Sequence, residues 1–292
     1  MAVQTSTSGQ LENASMEMIA TARYTEEHSA PIINLIERFT LGQGHDTVVV
    51  PKVGQMTMSA LNEGQDIVDE QAIGMTTVSV TPSEVGAKVI VTDKLLRQST
   101  QEVWRMVGRQ LGDGMGRKKD IDAAALFTSL NDGTNLGAAG DIFNASKASR
   151  VIAVAKANKY GQNLRAVMHP NQIYRAAASL STVGSAAAVT YPIPQGISER
   201  QLGDFFRFTL SGVPWFEDGN ITRDTSDDAI GAIFNKDALG LLVSLEMTRE
   251  RQRDASLRAW ELVVVSDYAA FEIDDTKGAG LLYDAADPST TT

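Results

Sequence analysis

A strand pattern runs directly into a helix start at Gly86-Ala87-Lys88-Val89-Ile90-Val91-Thr92-Asp93-Lys94-Leu95-Leu96-Arg97-Gln98-Ser99. Apolar residues alternate with polar ones over Val85–Val91, which is typical of a half-buried strand. The following Ser99-Thr100-Gln101-Glu102 fits the capping box, in which a Ser side chain bonds the third helical amide and Glu reaches back to the cap. We therefore predict that a strand ends near Thr92 and that a helix begins at Ser99.

The helix after Ser99 is predicted to be long. Its apolar positions recur at spacings of three and four, which keeps one face apolar: Val103, Val107, Leu111, Met115, Ile121, Ala125 and Leu126. If it runs to about Leu130, it has some 30 residues, or roughly 45 Å. Four glycines interrupt it, at Gly108, Gly112, Gly114 and Gly116. Because glycine costs up to ~1 kcal/mol against alanine in a helix, we expect a bend there or the close approach of a neighbouring backbone.

A long β-hairpin is predicted before this strand. Residues 48–59 form a strand pattern, Asn62-Glu63-Gly64-Gln65 is a polar turn, and the chain returns through Ile67-Val68 to residues 78–80. The hairpin is too polar to be a core, and a lone hairpin is marginal in water. We expect it to lie on another copy of the chain. Three methionines, Met56, Met58 and Met75, suit an adaptable contact surface, and ordinary core packing is an equal alternative.

An α/β unit is predicted after the turn at residues 131–135. Its elements are a helix at 149–158, a buried strand at 164–168, a helix at 170–181 that starts with proline, and strands near 206–210, 213–216 and 229–234. A long loop, residues 184–203, contains Tyr191, Pro192 and Pro194. Strands at 239–248 and 257–271 then return towards the first unit. At the N-terminus, Pro31 is expected to start a helical piece that Gly42 and Gly44 close.

Composition excludes several classes of protein. The 292 residues include no cysteine, which removes disulfides, thiolate nucleophiles and cysteine-ligated metals. A net charge of −10 argues against a protein that coats nucleic acid by neutralising phosphates. The polar start, residues 1–15, lacks the apolar run of a secretory signal, and no stretch reaches the ~20 apolar residues of a membrane span. We expect a soluble protein made in the cytoplasm, with no membrane partner.

No catalytic or metal-binding constellation emerges. The histidines, His28, His45 and His169, lack the spacing of a metal site and no G-x-S-x-G elbow is present. The glycines of residues 112–116 lie inside a helix, where a dinucleotide loop does not occur. Two acidic clusters, Asp224–Asp228 and Asp274-Asp275, lack the full calcium loop. Two basic patches, Arg117–Lys119 and Arg249–Arg253, suit ion-pair networks or, less readily, contact with packaged nucleic acid.

The order of elements resembles that of the major capsid proteins of tailed bacteriophages, the Hong Kong 97-type fold. Residues 61–67, Leu-Asn-Glu-Gly-Gln-Asp-Ile, are similar to the family's "EG" turn region. Residues 86–99 are similar to its strand, its "S-x-E-L-L-x-D-S" junction and the start of its spine helix. Thr92 stands for the usual Ser and Gln98 for Asp. The resemblance covers about residues 30–275 in element order and about 61–130 in sequence.

The resemblance implies an α+β fold with five parts. These are an N-terminal arm (1–44), an extended loop (45–85), a peripheral domain with the spine helix (86–146 and 236–283, helix about 99–130), an axial domain (147–235) and a flexible tail (284–292). It also implies a site of contact between copies at Met56, Met58, Leu61, Glu63, Ile67 and Val68 of the extended loop. The axial loop, with Tyr191, Pro192 and Pro194, would face the symmetry axes.

The implied function is structural, with no enzyme activity and no cofactor. Copies would form pentamers and hexamers of an icosahedral virion shell around double-stranded DNA, bound without sequence specificity. The extended loop would lie across a neighbour, and the arm would reach another copy. Residues 60–70 contain no lysine for covalent cross-linking, so we expect non-covalent stabilisation. A separate scaffolding protein, a portal and a decoration protein are the further partners implied. An encapsulin-type compartment shell is the alternative, and a hydrolase on the α/β half is disfavoured.

Overall fold

The computed structural model describes residues 31–42, 44–53, 63, 74–98, 103–181, 206–210 and 212–288. Within those ranges the chain forms three sheets and four α-helices. The helices are α1 (Asp93–Gln98), α2 (Val103–Ala125), α3 (Ala145–Ala157) and α4 (Pro170–Ser181). The strands are β1 (Glu37–Thr40), β2 (Val48–Val53), β3 (Met75–Val80), β4 (Ser83–Thr92), β5 (Leu136–Ile142), β6 (Leu164–Met168), β7 (Phe206–Leu210), β8 (Val213–Glu217), β9 (Asp228–Asn235), β10 (Leu239–Asp254), β11 (Ala259–Glu272) and β12 (Gly278–Asp284).

A four-stranded sheet has the order β1-β10-β11-β4. Strands β10 and β11 form a long antiparallel ribbon that pairs from Leu239 opposite Glu272 to Asp254 opposite Ala259. Helix α2 packs on one face of this sheet, where Val107 and Leu262 share a small core with Leu95 of α1. The Tyr268 hydroxyl of β11 also donates to Asp122 Oδ2 of α2 at 2.8 Å. The long helix is thus held to the sheet by both apolar and polar contacts.

A six-stranded sheet has the order β5-β12-β9-β6-β8-β7. Helices α3 and α4 contribute Val151, Ile152 and Ile173 to the core on this sheet. Trp215 is fully buried there, and its ring lies 5.3 Å from that of Phe143 between centroids. A larger core joins the two sheets around Phe127 and Phe234, whose centroids are 5.7 Å apart.

The predicted junction between strand and helix contains an additional helix. Strand β4 ends at Thr92 as expected, but α1 follows at once, and Thr92 Oγ1 accepts the Leu95 amide at 3.3 Å. The long helix is confirmed over the 23 residues of α2, about 34 Å. A single 3-10 turn, Leu126–Thr128, follows it. The capping residues 99–102 lie outside the described ranges.

The helix predicted from Pro31 is wrong beyond one turn. Residues Ile32–Asn34 form a 3-10 turn, and the chain then enters β1, which pairs in parallel with residues 240–243 of β10. Burial explains the difference, since Ile32, Leu35 and Ile36 are all in the main core. Local helix propensity is overridden by a partner strand some 200 positions away.

Two details also differ from the sequence expectation. The implied peripheral domain includes β5 and β12, yet both lie in one sheet with β6, β8 and β9 of the axial segment. The tail expected to be flexible from Asp284 is held over its first four residues. Ala285 is buried and its amide donates to the Asp227 carbonyl at 2.7 Å, and Asp287 accepts from Arg223 at 2.9 Å.

Candidate interaction surfaces

The base of the hairpin is anchored on the four-stranded sheet. Strands β2 and β3 pair from Val48 opposite Val80 to Val53 opposite Met75. Their inward-facing valines pack against Phe39, Leu242 and Phe271. The rings of Phe39 and Phe271 are 5.6 Å apart between centroids. This cluster holds the base of the hairpin against the four-stranded sheet.

An ion pair secures the hairpin on its other side. Lys52 Nζ lies 2.7 Å from Asp274 Oδ1 and 3.3 Å from Asp275 Oδ1. The hydrogen bond to Asp274 raises the pKa of Lys52 above its ordinary value. Burial alone would raise the pKa of Asp274, but the hydrogen bonds from Lys52 and Thr276 outweigh it and hold that pKa below its usual range. Asp274 and Asp275 therefore serve as an anchor for the hairpin.

Two side chains on the described strands of the hairpin are exposed. Met75 is 59% exposed and Val49 is 54% exposed, although both are apolar. The contact residues predicted from sequence, Met56, Met58, Leu61, Ile67 and Val68, lie outside the described ranges, and Glu63 is exposed in a turn. Residues 53–87 contain no Lys or Arg. They do contain five acidic residues, which are Glu63, Asp66, Asp69, Glu70 and Glu84. This acidic bias is a sequence signal that the motif analysis missed.

In the described part of the chain, strand β10 is unpaired on one side along most of its length. Strand β1 covers only residues 240–243, and within the described ranges no other strand pairs on that side. On the outer half, Arg251 and Arg253 lie over the Trp260 ring at 5.4 and 5.5 Å from its centroid. Arg253 also pairs with Asp93 at 3.0 Å. Charged residues on an edge oppose non-specific pairing of strands.

The histidines and acidic clusters have structural explanations. His45 is exposed, and His169 Nδ1 accepts the Asn171 amide at 3.2 Å at the start of α4, whereas His28 lies outside the described ranges. Asp224 Oδ1 accepts the amides of Ser226 and Asp228 at 2.8 and 2.9 Å, as in an Asx turn. In the part of the chain that the structure describes, no group of three or more His, Asp or Glu side chains could hold a metal ion.

The basic patch of α2 is engaged in contacts within the subunit. Lys118 pairs with Asp122, one turn away. Lys119 is buried over the Tyr268 ring, 5.2 Å from its centroid, and burial lowers its pKa. The ion-pair interpretation therefore accounts for Lys118, and Lys119 also lies 3.9 Å from Glu246 Oε2. The axial-loop residues Tyr191, Pro192 and Pro194 lie outside the described ranges. Among the described helices, none is both long and apolar enough to cross a membrane.

A buried pair of carboxyl groups joins three segments of the chain. Asp120 of α2 and Asp218, which follows β8, are both fully buried. Asp120 Oδ1 accepts the Ile32 amide at 2.9 Å, and Asp120 Oδ2 accepts the Asn220 side-chain amide at 3.1 Å. Burial, and then the neighbouring Asp218 carboxyl, raise the pKa of Asp120 to about 8. Asp120 therefore keeps its proton at neutral pH, and its hydrogen bond with the Ile32 amide ties residues 31–36 to α2.

Comparison with known proteins shows the class of fold. No protein-family model matches the chain, and no curated protein matches its sequence. Solved structures do match. The head structure of Helicobacter pylori bacteriophage KHP40 superposes with a TM-score of 0.68 at 10% identity, covering 98% of this chain and 98% of that chain. A structure from Mycobacterium phage Adephagia gives a TM-score of 0.65 at 12% identity, covering 98% of this chain and 100% of that chain.

A third match comes from a bacterial compartment. The holo-SrpI encapsulin complex from Synechococcus elongatus gives a TM-score of 0.67 at 11% identity, covering 100% of both chains. The resemblance to the capsid proteins of tailed phages is therefore confirmed as a shared fold. Identities of 10–12% show the fold alone, so these matches do not distinguish a phage capsid protein from an encapsulin.

Proposed function

We propose that this chain is the structural subunit of an icosahedral shell, the major capsid protein of a tailed bacteriophage that encloses double-stranded DNA. The observation that carries the proposal is the match in fold to the head structure of one phage and to a structure from a second phage, which covers nearly the whole of both chains in each comparison. Copies would form pentamers and hexamers, and no enzymatic step is required.

The strands of the hairpin support this role. Val49 and Met75 are exposed apolar side chains on strands that are anchored to the four-stranded sheet, which suits a contact made with another copy. We propose that the extended loop, including Met56, Met58, Leu61, Glu63, Ile67 and Val68, lies across a neighbouring subunit. The axial loop with Tyr191, Pro192 and Pro194 would then surround the five- and six-fold axes.

Electron microscopy of the purified chain tests the proposal. We expect closed shells or ring-shaped capsomers in negative stain, either directly or after co-expression with a scaffolding protein. Particles of single-subunit size under every condition, at concentrations where the chain is folded, would refute the shell role. A portal, a separate scaffolding protein and a decoration protein remain proposed partners, and the virion its proposed location.

An encapsulin-type compartment is the second candidate, since the holo-SrpI complex matches the full chain. The contents of the shell distinguish the two. Particles that protect nuclease-resistant double-stranded DNA support the phage role. Shells that contain a co-purifying enzyme and no protected DNA support the compartment role instead.

A further inference from the structure

A groove lies between the last turns of α2 and the segment around residues 220–230. Its volume is about 260 Å³, and its apolar lining comes from Ile121, Ala124, Ile221, Ile230 and Leu282. Sites for small molecules usually measure about 300–1,000 Å³. Two polar groups at the rim are already engaged, since Asp228 accepts the Gly140 amide at 2.7 Å and Arg223 pairs with Asp287. The groove suits a few apolar side chains of a peptide segment better than a charged small ligand.

The N-terminal part of the chain reaches the body at the edge of this groove. The Ile32 amide donates to Asp120, which directly precedes Ile121 of the lining. Asn220 holds the other oxygen of Asp120 and itself lines the groove. Pro31, where the described chain begins, is buried. Residues that precede Pro31 therefore start within a few side chains of the groove.

The length and composition of that segment match the groove. Thirty residues precede Pro31, and they include Met16, Met18, Ile19 and Tyr24. At about 3.3 Å per extended residue, Tyr24 can lie as far as roughly 23 Å from Pro31 and Ile19 roughly 40 Å. The helical side of the groove, Ile121–Thr128, is only about 11 Å long. A short tether also gives an effective concentration in the millimolar range, which favours the chain's own segment over a separate partner.

We propose that this groove is the binding site for the chain's own N-terminal segment and that apolar side chains from residues 16–24 fill it. The segment then covers α2 beside the buried Asp120–Asp218 pair. The family resemblance implies that the arm reaches another copy, so the choice between the same chain and a second copy is the decisive point.

Disulfide trapping distinguishes a segment of the same chain from a segment of a second copy. It is straightforward here because the chain contains no cysteine of its own. Ala125 lines the groove and is exposed. A double variant combines Ala125→Cys with cysteine at position 16, 18, 19 or 24, tested one at a time on unassembled full-length subunits. A bridge needs Cα atoms within about 7 Å. We expect an intrachain disulfide for at least one position, identified by peptide mapping, and none when Asp113→Cys, exposed on the same helix, replaces Ala125→Cys.

Other outcomes overturn the inference. Disulfide-linked dimers that also form on mixing Ile19→Cys chains with Ala125→Cys chains, without an intrachain product, would place the segment of a second copy in the groove. No bridge from any of the four positions would show that the groove has another role.

Trypsin provides a test without cysteine. Arg23 is the first basic residue of the chain, and the next arginine or lysine is Arg38. We expect Arg23 to be protected in the native subunit. Filling the groove with Ala125→Trp should speed cleavage there by roughly tenfold, which corresponds to about 1.4 kcal/mol of docking. Gly114→Ala, outside the groove, should leave the rate unchanged, and equal rates for both variants would refute the proposal.

Docking of the segment and assembly of shells are separate properties of the chain. Both readouts use single subunits. A protein that forms shells but leaves Arg23 open to trypsin would refute the docking of the N-terminal segment without refuting the proposed shell function.

Discussion

Replacing Asp120 by asparagine should remove a dependence of stability on pH. In the folded chain the pKa of Asp120 is raised from 3.8 to about 8, mainly by burial and then by the Asp218 carboxyl. An acid whose folded pKa is raised holds its proton in the folded state but loses it on unfolding. The unfolded state therefore binds fewer protons between pH 4 and 8, and stability falls as pH rises through this window.

The size of the pH dependence of stability follows from the shift in the pKa of Asp120. At about 1.4 kcal/mol per pKa unit, the whole interval corresponds to on the order of 5 kcal/mol, of which about 3 kcal/mol falls between pH 5 and 7.5. The asparagine side chain of the Asp120→Asn variant does not titrate, so this part of the slope disappears. Its carbonyl can still accept the Ile32 amide, whereas its NH₂ group replaces the oxygen that accepts the Asn220 side-chain amide, and that loss is the same at every pH. The stability of the variant relative to wild type should therefore rise with pH.

Urea unfolding of unassembled subunits measures this difference. Tryptophan fluorescence follows the transition, since Trp215 is fully buried. The free energy of unfolding is determined for wild type and Asp120→Asn at half-unit steps from pH 5 to 8. Asp113→Asn removes an exposed carboxyl from the same helix and should keep the wild-type slope. Parallel profiles for wild type and Asp120→Asn would refute the raised pKa of Asp120, as would a variant that loses stability relative to wild type with rising pH.

Three further predictions concern the hairpin and the packing. Deleting Gln55–Thr76 should leave a subunit that unfolds cooperatively but closes no shells in electron micrographs, and loss of cooperative unfolding would place the hairpin in the core instead. Lys52→Met should cost about 1 kcal/mol at pH 7 and less as the pH falls through the lowered pKa of Asp274, where protonation removes the pair in any case; a cost that grew on acidification would contradict this. Gly280→Ala should destabilise the subunit by about 1–3 kcal/mol, because a Cβ would lie 2.1 Å from Asn135 Oδ1 and 2.8 Å from the Phe127 carbonyl oxygen, whereas Gly114→Ala meets nothing within 4 Å and should stabilise α2 by up to about 1 kcal/mol. Equal melting temperatures for the two alanine variants would contradict the tight packing around Gly280.

Strong local signals predicted the elements that they belong to. The apolar run 164–168 is β6, and the following Pro170 begins α4, because a fixed proline φ suits the first helical turn. The period of the apolar residues likewise predicted α2. The close approach of a neighbouring backbone that was expected at the glycines of α2 is not found at Gly114 or Gly116, where an added Cβ would meet nothing within 4 Å.

Elements that depend on distant partners were not predictable. Strand β1 exists because Glu37–Thr40 meets Gly240–Val243, a pairing that no local pattern reveals. Asp120 and Asp218 are 98 positions apart, and neither has a distinctive sequence context. The sheet to which β5 and β12 belong was missed for the same reason, since they join the axial strands only through pairing in space. The hairpin contact residues remain a prediction, apart from the exposure of Glu63.

The position of β12 determines when the subunit can be complete during synthesis. Residues 278–284 lie between β5 and β9 in the six-stranded sheet, yet they are synthesised after every other described strand of that sheet. Until then β5 has no neighbour in that sheet, and apolar groups that pack against Leu281 are uncovered. A nascent chain therefore finishes its largest sheet only after the hairpin and α2 have been made. Chains that terminate before Gly278 would lack this strand and would leave the six-stranded sheet incomplete.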